Sequence, residues 1–579
     1  MSDPEAPTSR PLFPATYRLV FYCFLVGILG AAAALAFDAA VDLAQRILLE
    51  GLGGVVLPRP GRVPATPFVH VFAVAWLAPL ATVVGGLLSG ILVFTLAPEA
   101  EGHGTDAAIE TYHQKGGDVR PRVPFVKGIA SALTIGSGGV AGREGPTAQI
   151  AVGLGAILSR LLALRGHERR VLLLASMAAG LAAVFRAPLG MAIFAVEILY
   201  SGMVFESEAL IYTVIAAVTA YAAHGFFVGW APIFAIPAGL TFHSPLALLG
   251  FGILGVLAGV FGAVLPALFY GVRDFFRRLR VPRHLQPAIG GLVVGAAGLL
   301  LPELLGTGYG FVEYAVAGKI SIALMVLLLF GKAIGMSLTI GSGGSGGVFG
   351  PTVTMGALLG GLVGILLFRS FPQAVVAPDA FAVVGMACIF AGAARAPIST
   401  LIMVAEMTGG YGLIVPAMLA NVTAFLVQRS LTHGRRYPTL YQAQVPTRED
   451  SPAHRGVFVR RALDLLEGGK LDPGEIALPR LVSLLRFGHP IPVTAEAGLL
   501  VAVRAARESK LDGGTIEATI GALPGTSAVA VLRGEAMIVP RGPTELVAGD
   551  QIVAISTPES YARLRELAGE VPPGPPEPP

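Results

Sequence analysis

Apolar stretches fill the chain from Tyr17 to about Gln428, with short polar turns between them. Those at residues 17–36, 69–96 and 246–270 are long enough to cross a hydrocarbon core, which takes about 20 residues of helix. Other stretches are too short, or are interrupted by Gly and Pro, and these predict helices that stop at mid-membrane. After Arg435 the pattern changes. From about Glu449 the residues carry ordinary charge in alternating patterns, which predicts a small cytosolic α/β domain. Residues 1–16 are polar and Pro-rich without a cleavage pattern, so they read as a cytosolic tail and the first apolar span as a retained helix. Residues 569–579 read as a disordered Pro-rich tail.

Composition sharpens that picture. The residues are 54% hydrophobic and 13% charged, with a mean hydropathy of +0.71. So little charge cannot cover a soluble surface, and lipid must solvate much of the protein. The 75 Gly suit close helix packing and broken helices. The net charge of +4 does not indicate a nucleic-acid partner. Its Arg clusters (165, 169 and 170; 273, 277, 278 and 280; 435 and 436) flank apolar spans, as in cytosolic loops. A multi-pass protein of the cell membrane with both termini cytosolic is expected. Cys23 and Cys388 each lie in an apolar stretch, and no disulfide is expected.

An internal repeat carries more information than any composition. Thr134-Ile135-Gly136-Ser137-Gly138-Gly139 recurs as Thr339-Ile340-Gly341-Ser342-Gly343-Gly344, an offset of 339 − 134 = 205. The same offset pairs Lys127 with Lys332, Gly142 with Gly347, Pro146 with Pro351 and Thr147 with Thr352. Arg186-Ala187-Pro188 recurs as Arg395-Ala396-Pro397, and Glu197 as Glu406, at an offset of 209. The repeats span about 69–235 and 244–428. Duplicated membrane halves with Gly-interrupted segments at matching places point to a central transport site.

Each copy runs from a Gly-rich stretch through Gly-x-x-Gly-Pro-Thr into a helix-length apolar run. Pro suits the first turn of a helix, and the glycines leave backbone N–H groups uncovered at its positive end. Two such ends aimed at one point make an anion site without a full charge that would hold the ion too tightly. The first copy has Glu144 where the second has Phe349. A mid-membrane carboxylate is a functional candidate, and here it could compete with the anion until a proton neutralises it. The plainer alternative is a structural Glu144 paired with Arg143. Other classes fit less well. A membrane enzyme would need paired catalytic groups or a metal helix, and the ten His are scattered. A cation transporter would need converging acids or carbonyls. No catalytic residue, metal site or cofactor is therefore expected.

Gly142-Arg143-Glu144-Gly145-Pro146, Gly347-Val348-Phe349-Gly350-Pro351 and the Tyr441 region resemble the CLC family of chloride channels and chloride/proton antiporters over about residues 17–445. The resemblance implies an all-α polytopic inverted repeat with broken helices, assembled as a homodimer with one pore per subunit. It implies Glu144 as the protonatable gate. The anion ligands would come from Gly142, Arg143 and Gly145, from Val348, Phe349 and Gly350, and from Tyr441, whose hydroxyl would cap the anion from the cytosolic side. Tyr441 could instead be an interface aromatic. Chloride, and protons with weak or altered coupling, are the implied substrates; a passive channel is the alternative.

Three positions depart from the family pattern. Gly102-His103-Gly104-Thr105-Asp106 puts His103 where a serine usually binds the anion; its imidazole or a backbone N–H could donate, or it could only line the vestibule. The internal proton-relay glutamate falls on Ile198, next to Glu197, so coupling is lost or weakened, or protons travel through water near Glu197. Finally, residues 487–568, after a linker at 446–486, resemble a TrkA C-terminal (RCK-C) module. They carry a hairpin pattern at 527–539 and a strand-like run at 551–555. Such modules dimerise and some bind small regulators, so a regulatory nucleotide is an expectation for this domain beside plain dimerisation.

Overall fold

The computed structural model describes residues 15–61, 77–237, 239–242, 245–372, 377–454, 491–492, 498–506, 509–533 and 536–569. Most of the expected N-terminal tail and linker, and nearly all of the C-terminal tail, lie outside the described residues. The chain divides into two compact units, Met1–Arg448 and Glu449–Pro579.

In the first unit the described residues form sixteen α-helices. They are α1 (Ala15–Gln45), α2 (Ala78–Leu96), α3 (Thr105–His113), α4 (Val123–Gly136), α5 (Glu144–Leu161), α6 (Gly166–Phe185), α7 (Pro188–Glu197) and α8 (Ser207–Val228). The same succession follows as α9 (Pro245–Arg278), α10 (Gln286–Leu300), α11 (Tyr309–Val316), α12 (Ile322–Gly341), α13 (Phe349–Ser370), α14 (Pro378–Ala393), α15 (Pro397–Thr408) and α16 (Ile414–Leu431). Seven helical stretches are long and apolar enough to cross a membrane; α4, α7, α14 and α15, of 10 to 16 residues, are shorter. The first helix runs beyond the expected span of 17–36 because Asp38 and Asp42 do not end it. Both turn inward to a half-buried partner described below.

Packing follows the duplication. α1 packs on α4, α6 and α8, and α9 packs on α12, α14 and α16. The mates α2 and α10 lie against each other, as do α7 and α15. These mates run in opposite directions. Glu197, at the end of α7, accepts the N–H groups of Ile398 and Ser399 that open α15, at 3.1 and 2.8 Å. Glu406, near the end of α15, accepts those of Leu189 and Gly190 that open α7, at 3.1 and 2.8 Å. Each carboxylate satisfies N–H groups that have no partner within their own helix. The halves are therefore inverted with respect to each other. Backbone irregularities repeat as well: Arg186 and Arg395, with φ of 49° and 56°, turn the chain out of α6 and α14, and a Pro two residues later opens the next helix.

The second unit holds a five-stranded antiparallel sheet. Its strands are β1 (Ile491–Pro492), β2 (Leu499–Arg504), β3 (Ser527–Arg533), β4 (Ala536–Ile538) and β5 (Gln551–Ser556), ordered β1-β2-β5-β3-β4. The expected hairpin is β3 with β4, paired from Val531 with Ile538 to Arg533 with Ala536. The closing helix α17 (Pro558–Ala568) has Thr557 as N-cap, Pro558 in its first turn and Gly569 at φ 76° after its end. Its buried face, Tyr561, Leu564 and Ala568, packs with Val501, Val503, Val531, Ile552 and Ala554 of the sheet.

Asp550, in the turn before β5, is almost fully buried. It accepts two hydrogen bonds from Arg533, at 2.9 and 2.8 Å, and one from the Val547 N–H at 2.9 Å. Burial pushes the carboxyl up, but the Arg533 and Val547 bonds outweigh it and hold the group below the usual carboxylate range. A lowered folded value means that the added stability is present above the unfolded carboxyl value, near pH 4, and is lost as pH falls through the folded one. Asp550→Asn is expected to lower the unfolding temperature of this domain by several degrees at neutral pH, and by less near pH 3. Thermal unfolding followed by circular dichroism at both pH values checks this.

Candidate functional site

The site forms where α5 and α13 begin. Gly142 donates to the carbonyl of its repeat mate Gly347 at 2.7 Å, and Gly347 donates back to Gly142 at 2.8 Å. This two-bond link between mates sits on the pseudo-two-fold axis and brings the two helix N-termini together. A Cβ on either would overlap the Glu144 carboxylate where it now lies, so the two glycines leave room for that side chain. Gly145 lies against Gly347 and the backbone of His103, while Gly350 lies against Thr307, Tyr309 and Gly142.

Glu144 crosses from its own helix to the other. Its Oε1 accepts the N–H of Phe349, the first residue of α13. The side chain is buried, and Oε2 has no hydrogen-bond partner. A carboxylate at the positive end of a helix occupies a position that suits an anion. Val348, buried just before α13, completes that turn. Arg143 does not pair with Glu144. Its guanidinium reaches Asp38 and Asp42 on α1, at 2.7 and 3.2 Å.

Aromatic rings extend the site in one direction. Phe349 meets Phe185 and Phe390 edge-on, at centroid distances of 5.2 and 4.8 Å. Phe390 lies 6.3 Å from Tyr441, and Tyr441 lies 5.3 Å from His103. His103 lines a cavity of about 210 Å³ together with Asp106, Tyr270, Arg273 and Arg277. On another side, Arg143, Asp38, Asp42, His224, Thr307 and Tyr309 line a cavity of about 480 Å³. The Tyr309 and Tyr441 hydroxyls and His103 Nδ1 are buried without a protein partner, as is Glu144 Oε2. All four lie on residues of this site or of the cavities beside it.

Glu197 caps the start of α15. Besides the two N–H groups of α15, it accepts the hydroxyl of Ser399, so that its carboxylate is fully engaged. Ile198 is buried, and its carbonyl accepts the Gln444 side-chain amide at 2.9 Å.

Sequence reasoning left several participants unassigned. Lys127 and Lys332 were paired by the repeat, yet their task is visible only in the fold. Lys127 Nζ holds the carbonyls of Ala100 and Gly102, and Lys332 Nζ holds those of Leu304, Leu305 and Gly306. Each lysine thereby fixes the loop that leads into α3 or α11. Tyr309 had a signal one residue out of that frame: Gly306-Thr307-Gly308-Tyr309 matches Gly102-His103-Gly104-Thr105 at an offset of 306 − 102 = 204. Asp38 and Asp42 carried none, since their partner lies some hundred residues away.

An inverted-repeat helical membrane protein whose broken helices meet at a buried anion-type site belongs to the class of ion-transport proteins. Residues 85–429 match the voltage gated chloride channel family, and residues 500–569 match the TrkA-C domain. The chain belongs to that chloride channel (CLC) family. It is 33% identical over 437 residues to an H(+)/Cl(-) exchange transporter ClcA of Vibrio campbellii, covering 73% of this chain and 89% of the relative. A ClcA exchange transporter of Salmonella agona is 32% identical over 439 residues, covering 73% and 88%. Among solved structures, a slow cyanobacterial Cl-/H+ antiporter superposes with a TM-score of 0.63 at 23% identity, covering 74% of this chain and 96% of that one.

Proposed function

We propose that the protein exchanges chloride for protons across the cell membrane. In this reading it is a homodimer with one ion pathway per subunit, both termini are cytosolic, and Glu144 is the protonatable gate. The bond from the Phe349 N–H to the Glu144 carboxylate carries the proposal, because it places a negative group at the convergence of two helix ends. An ionised Glu144 excludes chloride from that position by occupying it. A proton removes the charge that made the carboxylate a good ligand, and chloride can take the N–H groups in its place. Tyr441 and His103 then line the anion's way toward the cavity that holds Arg273 and Arg277, taken here as cytosolic. The exchange transporters among the relatives support proton coupling over a passive channel.

Paired flux in liposomes tests the proposal. With a chloride gradient across the membrane, external chloride and pH are followed together. Uphill proton movement driven by chloride is the expected result. Chloride efflux without proton movement would mark a passive channel, and flux of a different anion alone would move the substrate assignment to His103.

A further inference from the structure

The geometry points to His103 as a proton-linked anion ligand: its neutral ring offers the pathway a lone pair, only its imidazolium offers an N–H, and an anion held there brings a proton with it. This rests on the anion pathway proposed above and adds a second titrating group to it.

The hydrogen-bond network sets the tautomer. Tyr270 has one hydroxyl proton and donates it to the carbonyl of Leu440 at 2.6 Å. A carbonyl only accepts, so the Tyr270 oxygen is left as the acceptor for His103 Nε2, 3.4 Å away. The neutral ring therefore carries its hydrogen on Nε2, and Nδ1 is a bare lone pair. That Nδ1 is buried, and no protein group donates to it. The ring is fixed between Tyr441 and Phe269, at centroid distances of 5.3 and 5.4 Å, and cannot readily turn its other edge to the path. A lone pair repels chloride; an N–H carrying positive charge binds it.

The surrounding charges tie the proton to the anion. Lys127 of α4 holds the carbonyl of Gly102, next in the chain to His103. Arg273 of α9 lies over the Tyr270 ring, 4.3 Å from its centroid. Both cations oppose an imidazolium on its own, and an anion at Nδ1 offsets them. Glu99, Glu101, Asp106 and Glu110 line the same cavity as His103 and are the acidic groups nearest to hand for a proton exchange with the ring. Arg277 of α9 lines that cavity too and adds a third opposing cation, and Tyr270 and Tyr441 lie against the ring itself. In the step itself a proton from cavity water bonds to Nδ1 as the anion arrives and leaves when the anion leaves. No other bond changes. Ile198 cannot carry a proton, whereas His103 supplies a group that can.

Calorimetric chloride titration of the full-length Glu144→Gln protein in detergent tests the step, because the gate is then neutral and takes up no proton. Titrations at about pH 6, 7 and 8, in two buffers of different ionisation enthalpy, count the protons. The expected result is uptake of about one proton per chain, with affinity falling up to about tenfold per pH unit. Adding His103→Ser is expected to remove both the uptake and the pH dependence while chloride still binds. Chloride binding to the Glu144→Gln protein with no proton uptake would overturn the role of His103 and leave the anion site standing. Proton uptake that survives His103→Ser would also overturn it. Absence of any chloride binding would overturn the site itself. If the His103→Ser protein does not stay monodisperse, the proton count on Glu144→Gln alone decides.

Discussion

Glu144→Gln is expected to reduce chloride-driven proton movement to the leak of protein-free liposomes while chloride flux continues. Gln keeps the length and shape of the side chain but carries no charge and takes up no proton. Its carbonyl can still accept the Phe349 N–H, yet a hydrogen bond to a neutral acceptor is about half as strong as one to a carboxylate. Chloride therefore meets a weaker competitor. Replacing a charge-assisted bond of roughly 1.5–3 kcal/mol by one about half as strong predicts chloride binding about threefold to tenfold tighter than in the unaltered protein at the same pH. Paired flux and calorimetry read the two effects separately. Proton movement that persists in this variant would remove Glu144 from the proton path.

The second large effect is structural. Glu197→Ala leaves the Ile398 and Ser399 N–H groups and the Ser399 hydroxyl without their acceptor at a buried helix start. Each orphaned group costs about 1–3 kcal/mol, so for three groups the loss is on the order of 3–9 kcal/mol. The temperature at which the purified protein loses its monodisperse peak on size exclusion is expected to drop sharply. Glu406→Ala, whose carboxylate is less buried and holds two N–H groups, is expected to cost less. At low temperature the proton-to-chloride ratio of the Glu197→Ala protein should match that of the unaltered protein. A Glu197→Gln protein that unfolds normally but moves no protons would contradict this and make Glu197 a relay.

Much of the fold was legible because duplication repeats physical constraints as well as letters. Gly142 and Gly347 share a frame in the sequence, and in the structure they bond to each other across the axis. Arg-Ala-Pro recurs because both turns need a left-handed residue followed by a Pro-started helix. The contrast of Glu144 with Phe349 at matching positions was visible without coordinates, and their bond joins the first residue of α5 to that of α13. What stayed hidden depends on contacts between distant segments. Nothing near Arg143 in the sequence tells whether it holds Glu144 or two aspartates of the first helix. The tautomer of His103 is likewise set by Tyr270 and Leu440, 167 residues away in one case and bonded to each other across 170. The reciprocal capping of α7 and α15 needed the inverted packing, which two copies of a motif do not by themselves specify.

Central to the account is that chloride and the Glu144 carboxylate compete for one position at the meeting of α5 and α13. Anomalous scattering from bromide-soaked crystals locates the anion directly. In the Glu144→Gln protein a bromide peak is predicted within hydrogen-bonding distance of the Phe349 N–H, where Glu144 Oε1 sits in the unaltered protein. Bromide peaks confined to the outer cavities, with none between the two helix starts, would contradict the account.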